Sequence, residues 1–254
     1  MATPVPEMTV GQLVVERPAR ARVFERLGID YCCGGRLPLS EACAKRGLDA
    51  AMVLEELRAD DASAAPAAER DWAAATAAEL ADNIEATHHA YLKRELPRLI
   101  ALTRRVAEVH SGHRPSLIEL RDVFDKFAHE LVSHMTKEER ILFPWIRLLE
   151  SGGDNAPAGV SRPVRQMIRE HDDAGADLAR MSELTDGFTP PPDACNTYRA
   201  MLDGLKHLEA DMHTHVHKEN NILFPKAERL ERERHGAAPG ASSCCTPGFG
   251  CCGG

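Results

Sequence analysis

Residues 134–144 read HMTKEERILFP and residues 215–225 read HVHKENNILFP. Seven of these eleven positions are identical at an offset of 81 residues, so the repeat carries far more weight than either copy alone. Each copy places a glutamate four residues after a histidine: His134 with Glu138, and His215 with Glu219. On a helix, residues four apart share one face about one turn apart, so imidazole and carboxylate can converge on a single point.

The pattern extends upstream. His89 precedes His134 by 45 residues and His171 precedes His215 by 44. Each half thus supplies one histidine, a connection, and then His-x-x-x-Glu on the next helix. Two such halves make two helix hairpins related by an approximate twofold axis, with four histidines and two carboxylates in the middle of a bundle. Two metals bridged by Glu138 and Glu219 is the simplest arrangement that uses all six. A lone histidine on an apolar face is ordinarily a packed or surface residue, and a lone His-x-x-x-Glu pair an ordinary ion pair. The duplication at near-equal spacing argues against both.

Mixed imidazole and carboxylate ligands suit iron, manganese or zinc rather than calcium or magnesium, which prefer all-oxygen sites. Six ligands shared between two metals leave positions for a bridging oxygen and a small diatomic, which suits redox chemistry more than a closed structural zinc site. The expectation is two iron ions in a non-haem, oxo-bridged centre, although ligand type alone leaves manganese open. Glu130 lies four residues before His134, and Asp211 four before His215. Either could accept the second ring N–H of its histidine, and Glu170, next to His171, is a third candidate. A solvated surface position is the alternative for all three. His88, His129, His213 and His217 break the repeat and are expected to be peripheral.

The rest of the chain fits an all-α fold. Only 5% of residues are aromatic, while Ala, Leu, Glu and Arg are plentiful, which favours helix over sheet. Periodicity predicts four long helices near 72–109, 115–150, 160–184 and 193–233, broken by Gly- and Pro-containing connections. Short connections between amphipathic helices indicate an antiparallel four-helix bundle over 72–234. Residues 1–60 read as a small helical domain, with apolar residues at helical intervals over 10–27, a helix at 39–46 capped by Ser40, and another at 49–57. Residues 61–71 read as a linker, and 235–254 as a flexible Cys-rich tail.

The formal charge is −8 with no basic tract, which argues against nucleic-acid binding. No secretory signal and no apolar run of about eighteen residues is present, so a cytoplasmic location away from the membrane is expected. Eight cysteines in such a chain point to thiol or metal chemistry rather than disulfides. Cys32 and Cys33 are adjacent and could form only a strained disulfide with each other, so a soft-metal or thiol-exchange role fits the pair. A turn holding two buried cysteines is the plainer alternative. Cys244, Cys245, Cys251 and Cys252 in the tail echo the CCGG of residues 32–35.

The set of His89, the His134/Glu138 pair, His171 and the His215/Glu219 pair resembles hemerythrin-like domains. With VFERLGIDYCCGG at 23–35 and LSEAC at 39–43, the chain more closely resembles the repair-of-iron-centres di-iron proteins with an ScdA-type N-terminal domain. That resemblance covers about residues 8–232, and the Cys-rich tail departs from the family pattern. It implies a bacterial stress protein that helps restore iron–sulfur clusters damaged by oxidants or nitric oxide, by supplying iron; the paired Cys32 and Cys33 favour transfer or redox work over simple oxygen storage. Damaged iron–sulfur proteins would be its clients and O2 or NO its small ligands, and a homodimer is open. Two other activities stand beside this one: reduction of nitric oxide or a peroxide at the di-iron centre, and hemerythrin-like binding or sensing of oxygen or nitric oxide.

Overall fold

A computed structural model describes residues 4–63, 70–152 and 158–236. The four tail cysteines lie outside the described residues, as does most of the predicted linker. The described residues form eight α-helices and no strand. The first four belong to the N-terminal segment: α1 (Val10–Glu16), α2 (Ala21–Leu27), α3 (Leu39–Lys45) and α4 (Ala50–Ser63). The predicted run over 10–27 is split at Arg17, because Pro18 removes a helical N–H and biases the residue before it to the extended region. A 3₁₀ turn, Pro18–Arg20, then leads into α2.

Ser40 is not the cap of α3. The helix begins one residue earlier, after Pro38, and the amide N–H groups of Leu39 and Ser40 donate to the carbonyls of Met8 and Pro6. With those donors satisfied by backbone, no side-chain cap is needed.

The remaining four helices are long. Helix α5 covers 77–110, α6 covers 116–151, α7 is Ser161–Leu184, and α8 covers 196–236. Thr76 opens α5 with a reciprocal pair of bonds to Glu79. Three of the four contain one wide π turn: Glu85–His89 in α5, Glu138–Leu142 in α6 and Glu219–Leu223 in α8. Helix α6 packs against both α5 and α7, and α8 packs against α5.

Among the described residues, side chains pack into two apolar cores. One joins the N-terminal helices to residues such as Leu96, Phe127, Leu178 and Leu208 of the bundle. The other, with Leu80, Phe143, Met167 and Phe224, fills the opposite end. Burying each such large side chain contributes roughly 1.5–3 kcal/mol. Between the two cores lies a layer of buried His and Glu residues. Among the described residues, no helix is long and apolar enough to cross a membrane.

Candidate metal centre

That layer is formed by the six repeat-derived residues. His89 comes from α5, His134 and Glu138 from α6, His171 from α7, and His215 and Glu219 from α8. All are at most 3% exposed, and both glutamates are fully buried. They make two groups whose ligand-type atoms lie within 4.8 Å of one another: His89, His215, Glu138 and Glu219, and then His134, His171 and the same two glutamates.

Each carboxylate offers one oxygen to each group. Glu138 Oε2 faces His89 Nε2 at 3.4 Å, and Oε1 faces His134 Nε2 at 3.3 Å. Glu219 Oε1 faces His215 Nε2 at 3.0 Å, and Oε2 faces His171 Nε2 at 3.1 Å. His134 Nε2 and His171 Nε2 face each other at 3.0 Å. The π turns begin at Glu138 and Glu219 and end at His89. A π turn shifts the side chains after it round the helix axis, which is why such turns recur at functional sites.

A divalent pair fits this donor set. His89 Nε2, both oxygens of Glu138 and Glu219 Oε2 are buried without a hydrogen-bond partner among the described residues. Buried charge is costly unless it is paired or coordinates a metal. Burial raises both glutamates, but the surrounding imidazoles outweigh it and hold them below the usual carboxylate range. Burial opposes a charge on His134, yet Glu138, with Glu170 and Glu219, pushes its pKa up to about 10. Protons on imidazoles thus balance carboxylate charge that cations at the same place would balance instead.

The rings are oriented from neighbouring helices. His134 Nδ1 donates to Glu170 Oε2 at 2.8 Å; that bond, helped by Lys137 and Gln166 against burial, lowers Glu170 to about 2. His89 Nδ1 donates to Glu139 Oε1 at 2.9 Å, and His171 Nδ1 to Asn220 Oδ1 at 2.9 Å. Glu139 and Asn220 occupy the same position of the repeat, directly after each shared glutamate, and neither was singled out from sequence. The repeat's phenylalanines have a matching role: Phe143 stacks on His89 at 5.7 Å and Phe224 on His171 at 5.9 Å.

Two expected orienting residues act elsewhere. Glu130 is exposed and its ion-pair partner is Lys126 at 3.6 Å, not His134. Asp211 accepts from His88 Nδ1 at 2.8 Å rather than from His215. An i,i+4 carboxylate lies along its own helix, whereas an inward ring turns its second nitrogen toward a neighbour. Glu170 is the third expected residue, and it serves His134 rather than the adjacent His171.

The histidines expected at the periphery divide. His129 is exposed and His213 half-buried. His88 is buried, stacked on His215 at 5.2 Å, and accepts from Lys218 Nζ at 2.9 Å. His217 is buried against Tyr31 at 5.5 Å, and burial pulls its pKa down to about 4. It accepts from Asn221 Nδ2, which also donates to the Tyr31 carbonyl at 3.1 Å. The second copy of the repeat therefore docks the N-terminal segment at its third, sixth and seventh positions, where it differs from the first.

Cys32 and Cys33 lie in the turn between α2 and α3. Cys32 is buried, and its hydrogen bond with Cys33, burial and nearby Asp30 raise its thiol pKa. The Cys33 Sγ lies 3.4 Å from the backbone oxygen of His171. A cavity of about 290 Å³ opens onto His134, His171, Lys137 and Glu170.

Comparison with known proteins finds similarity over both parts of the chain. Residues 80–227 match the hemerythrin HHE cation binding domain, and residues 6–61 match ScdA_N, a domain of unknown function. The chain is 37% identical over 227 residues to iron–sulfur cluster repair protein YtfE of Pectobacterium atrosepticum, covering 89% of this chain and 98% of that one. It is 37% identical over 222 residues to the protein of the same name from Escherichia coli O157:H7, covering 87% and 96%. The corresponding protein of Edwardsiella ictaluri is 39% identical over 218 residues, covering 86% and 95%.

Proposed function

The chain belongs to the repair-of-iron-centres family, hemerythrin-like proteins with an ScdA-type N-terminal segment, and on that premise we propose that it repairs damaged iron–sulfur clusters by donating iron. The observation that carries this reading is the pair of buried groups sharing Glu138 and Glu219, with carboxylate oxygens left without hydrogen bonds. His89 and His215 would hold one iron and His134 and His171 the other, with Glu138 and Glu219 offering one oxygen to each group. Such a pair supplies redox-active iron with ligand positions to spare. Glu139, Glu170 and Asn220 fix the tautomers that point Nε2 inward, and the two apolar cores limit water around the layer.

Iron is here both resident and cargo, and the cavity at His134 and His171 offers the route out, as it would the route in for O2 or NO. The bundle over 72–234 stores the iron and the segment over 1–60 handles its transfer. The clients are iron–sulfur proteins damaged by oxidative or nitrosative stress in the cytoplasm.

The test is transfer to a client. Anaerobically loaded protein, added to an iron–sulfur dehydratase whose cluster has been destroyed with nitric oxide, should restore its activity in the presence of sulfide. The double variant Glu138→Gln/Glu219→Gln should restore little. Equal repair by that variant, or by the metal-free chain, would contradict an iron-donor function.

A further inference from the structure

The turn that carries the two adjacent cysteines is organised by Asp30. Its Oδ1 accepts the backbone N–H groups of Cys32 and Cys33, each at 3.0 Å, and lies 3.2 Å from the Cys32 Sγ. Its Oδ2 accepts the Gly34 N–H at 2.8 Å. The two sulfurs stand 3.9 Å apart as free thiols. One carboxylate oxygen and two thiols therefore lie within 4.8 Å of one another. A turn closed by an aspartate needs only the carboxylate. It does not account for two thiols gathered at the same point.

The turn is also tied to one end of the paired site. Cys33 Sγ sits against the His171 carbonyl at 3.4 Å, and a Cβ added at Gly175 would meet the same sulfur at 3.4 Å. Asn220 touches the His171 ring with its Oδ1 and donates through Nδ2 to the Cys32 carbonyl at 3.4 Å. Two connections thus join the thiol turn to His171, the residue that also lines the cavity. Asp30 is exposed and Cys33 half-buried, so an ion at this place would have solvent on one side and the His134/His171 end on the other.

We propose that Asp30, Cys32 and Cys33 form a third metal site, a thiolate–carboxylate position that takes ferrous iron leaving the His134/His171 end. It rests on the iron-donor reading above and adds the place where the cargo is held in transit. Thiolates favour softer divalent ions than the imidazole–carboxylate layer does. On binding, the two S–H bonds break, two metal–sulfur bonds form and two protons pass to solvent. The iron remains ferrous, so no electron donor is required. Three protein ligands leave a fourth position for a client's thiolate.

Cobalt(II) is the probe, because cobalt–thiolate bonds give a charge-transfer absorption that imidazole and carboxylate ligands do not. The titration uses full-length, iron-loaded, anaerobic protein with Cys244, Cys245, Cys251 and Cys252 replaced by Ser, which removes the competing thiols of the tail. About one further cobalt should bind with the thiolate absorption. Cys33→Ser and Cys32→Ser should each abolish the absorption, and Asp30→Asn should weaken binding at least about tenfold. Cys33 is only half-buried, so its variant keeps the test open if Cys32→Ser unfolds the segment. Absence of the band, or an undiminished band in Cys33→Ser, would overturn the third site. Client repair is followed in the same preparations. Slower repair by Cys33→Ser is the expected result, and an unchanged rate would overturn the transit role. Failed repair by the parent chain with the cobalt band present would overturn the donor reading while leaving the metal site standing.

Discussion

Glu138 is wholly buried, and neither of its carboxylate oxygens has a hydrogen-bond partner among the described residues. An ionised carboxylate in that state costs several kcal/mol unless charge of opposite sign replaces the lost water. Each carboxylate lies between two imidazoles, one oxygen to each ring, and that convergence of six side chains was legible from residue spacing. His-x-x-x-Glu occurs twice, and each copy needs the other's upstream histidine. The orienting partners were not legible by the same rule, because they come from neighbouring helices. Their signal was the residue after each shared glutamate, Glu139 in one copy and Asn220 in the other. Replacing Glu139 with Gln should weaken iron binding about 10–100-fold, while Glu130→Gln should leave it unchanged. Anaerobic competition with a coloured chelator measures both. A larger loss from Glu130→Gln would return the orienting role to the helix that carries His134.

At the scale of elements, the Pro- and Gly-bearing connections bounded the long helices well: 115–150 was expected for α6, and 116–151 is observed. The π turns were not legible. Their cause is the choice of hydrogen-bond partner within a helix, which leaves no mark in apolar periodicity. Pro144 and Pro225, each just past a π turn, are the one local clue, since proline lacks the N–H that would close the next α turn.

Docking of the N-terminal segment rests on close backbone approach. A Cβ at Gly35 would lie 2.5 Å from the Tyr31 carbonyl oxygen and 2.6 Å from Asn221 Oδ1. Gly35→Ala should therefore destabilise the docked segment by about 1–3 kcal/mol, read as a lower denaturation midpoint, while the bundle keeps its iron. Gly112→Ala, with nothing within 4 Å, is the matched control and should change stability by less than about 0.5 kcal/mol. Loss of iron in Gly35→Ala would show that the bundle cannot hold metal without the docked segment.

Taken whole, the molecule places its most costly residues between two apolar cores that cannot solvate them. Stability and metal content should then be linked. Iron at a hundred times its dissociation constant adds about 2.7 kcal/mol for a single site. At roughly 2–4 °C per kcal/mol for a chain of this size, one such site is worth about 5–10 °C, so removing both irons should lower Tm by at least that much. Differential scanning calorimetry of the loaded and metal-free chains reads this directly, and equal Tm values would mean that the layer does not depend on metal. The association of the N-terminal segment with the bundle was invisible from sequence, because it depends on His217, Asn220 and Asn221 facing residues nearly two hundred positions away.

The central claim is that two irons share Glu138 and Glu219. Iron X-ray absorption on the anaerobically loaded chain, with iron content measured on the same sample, tests it most directly. The account predicts about two irons per chain, an Fe–Fe vector near 3.5–4 Å, and loss of that vector in Glu138→Gln. One iron per chain, or two irons with no Fe–Fe scattering, would contradict it.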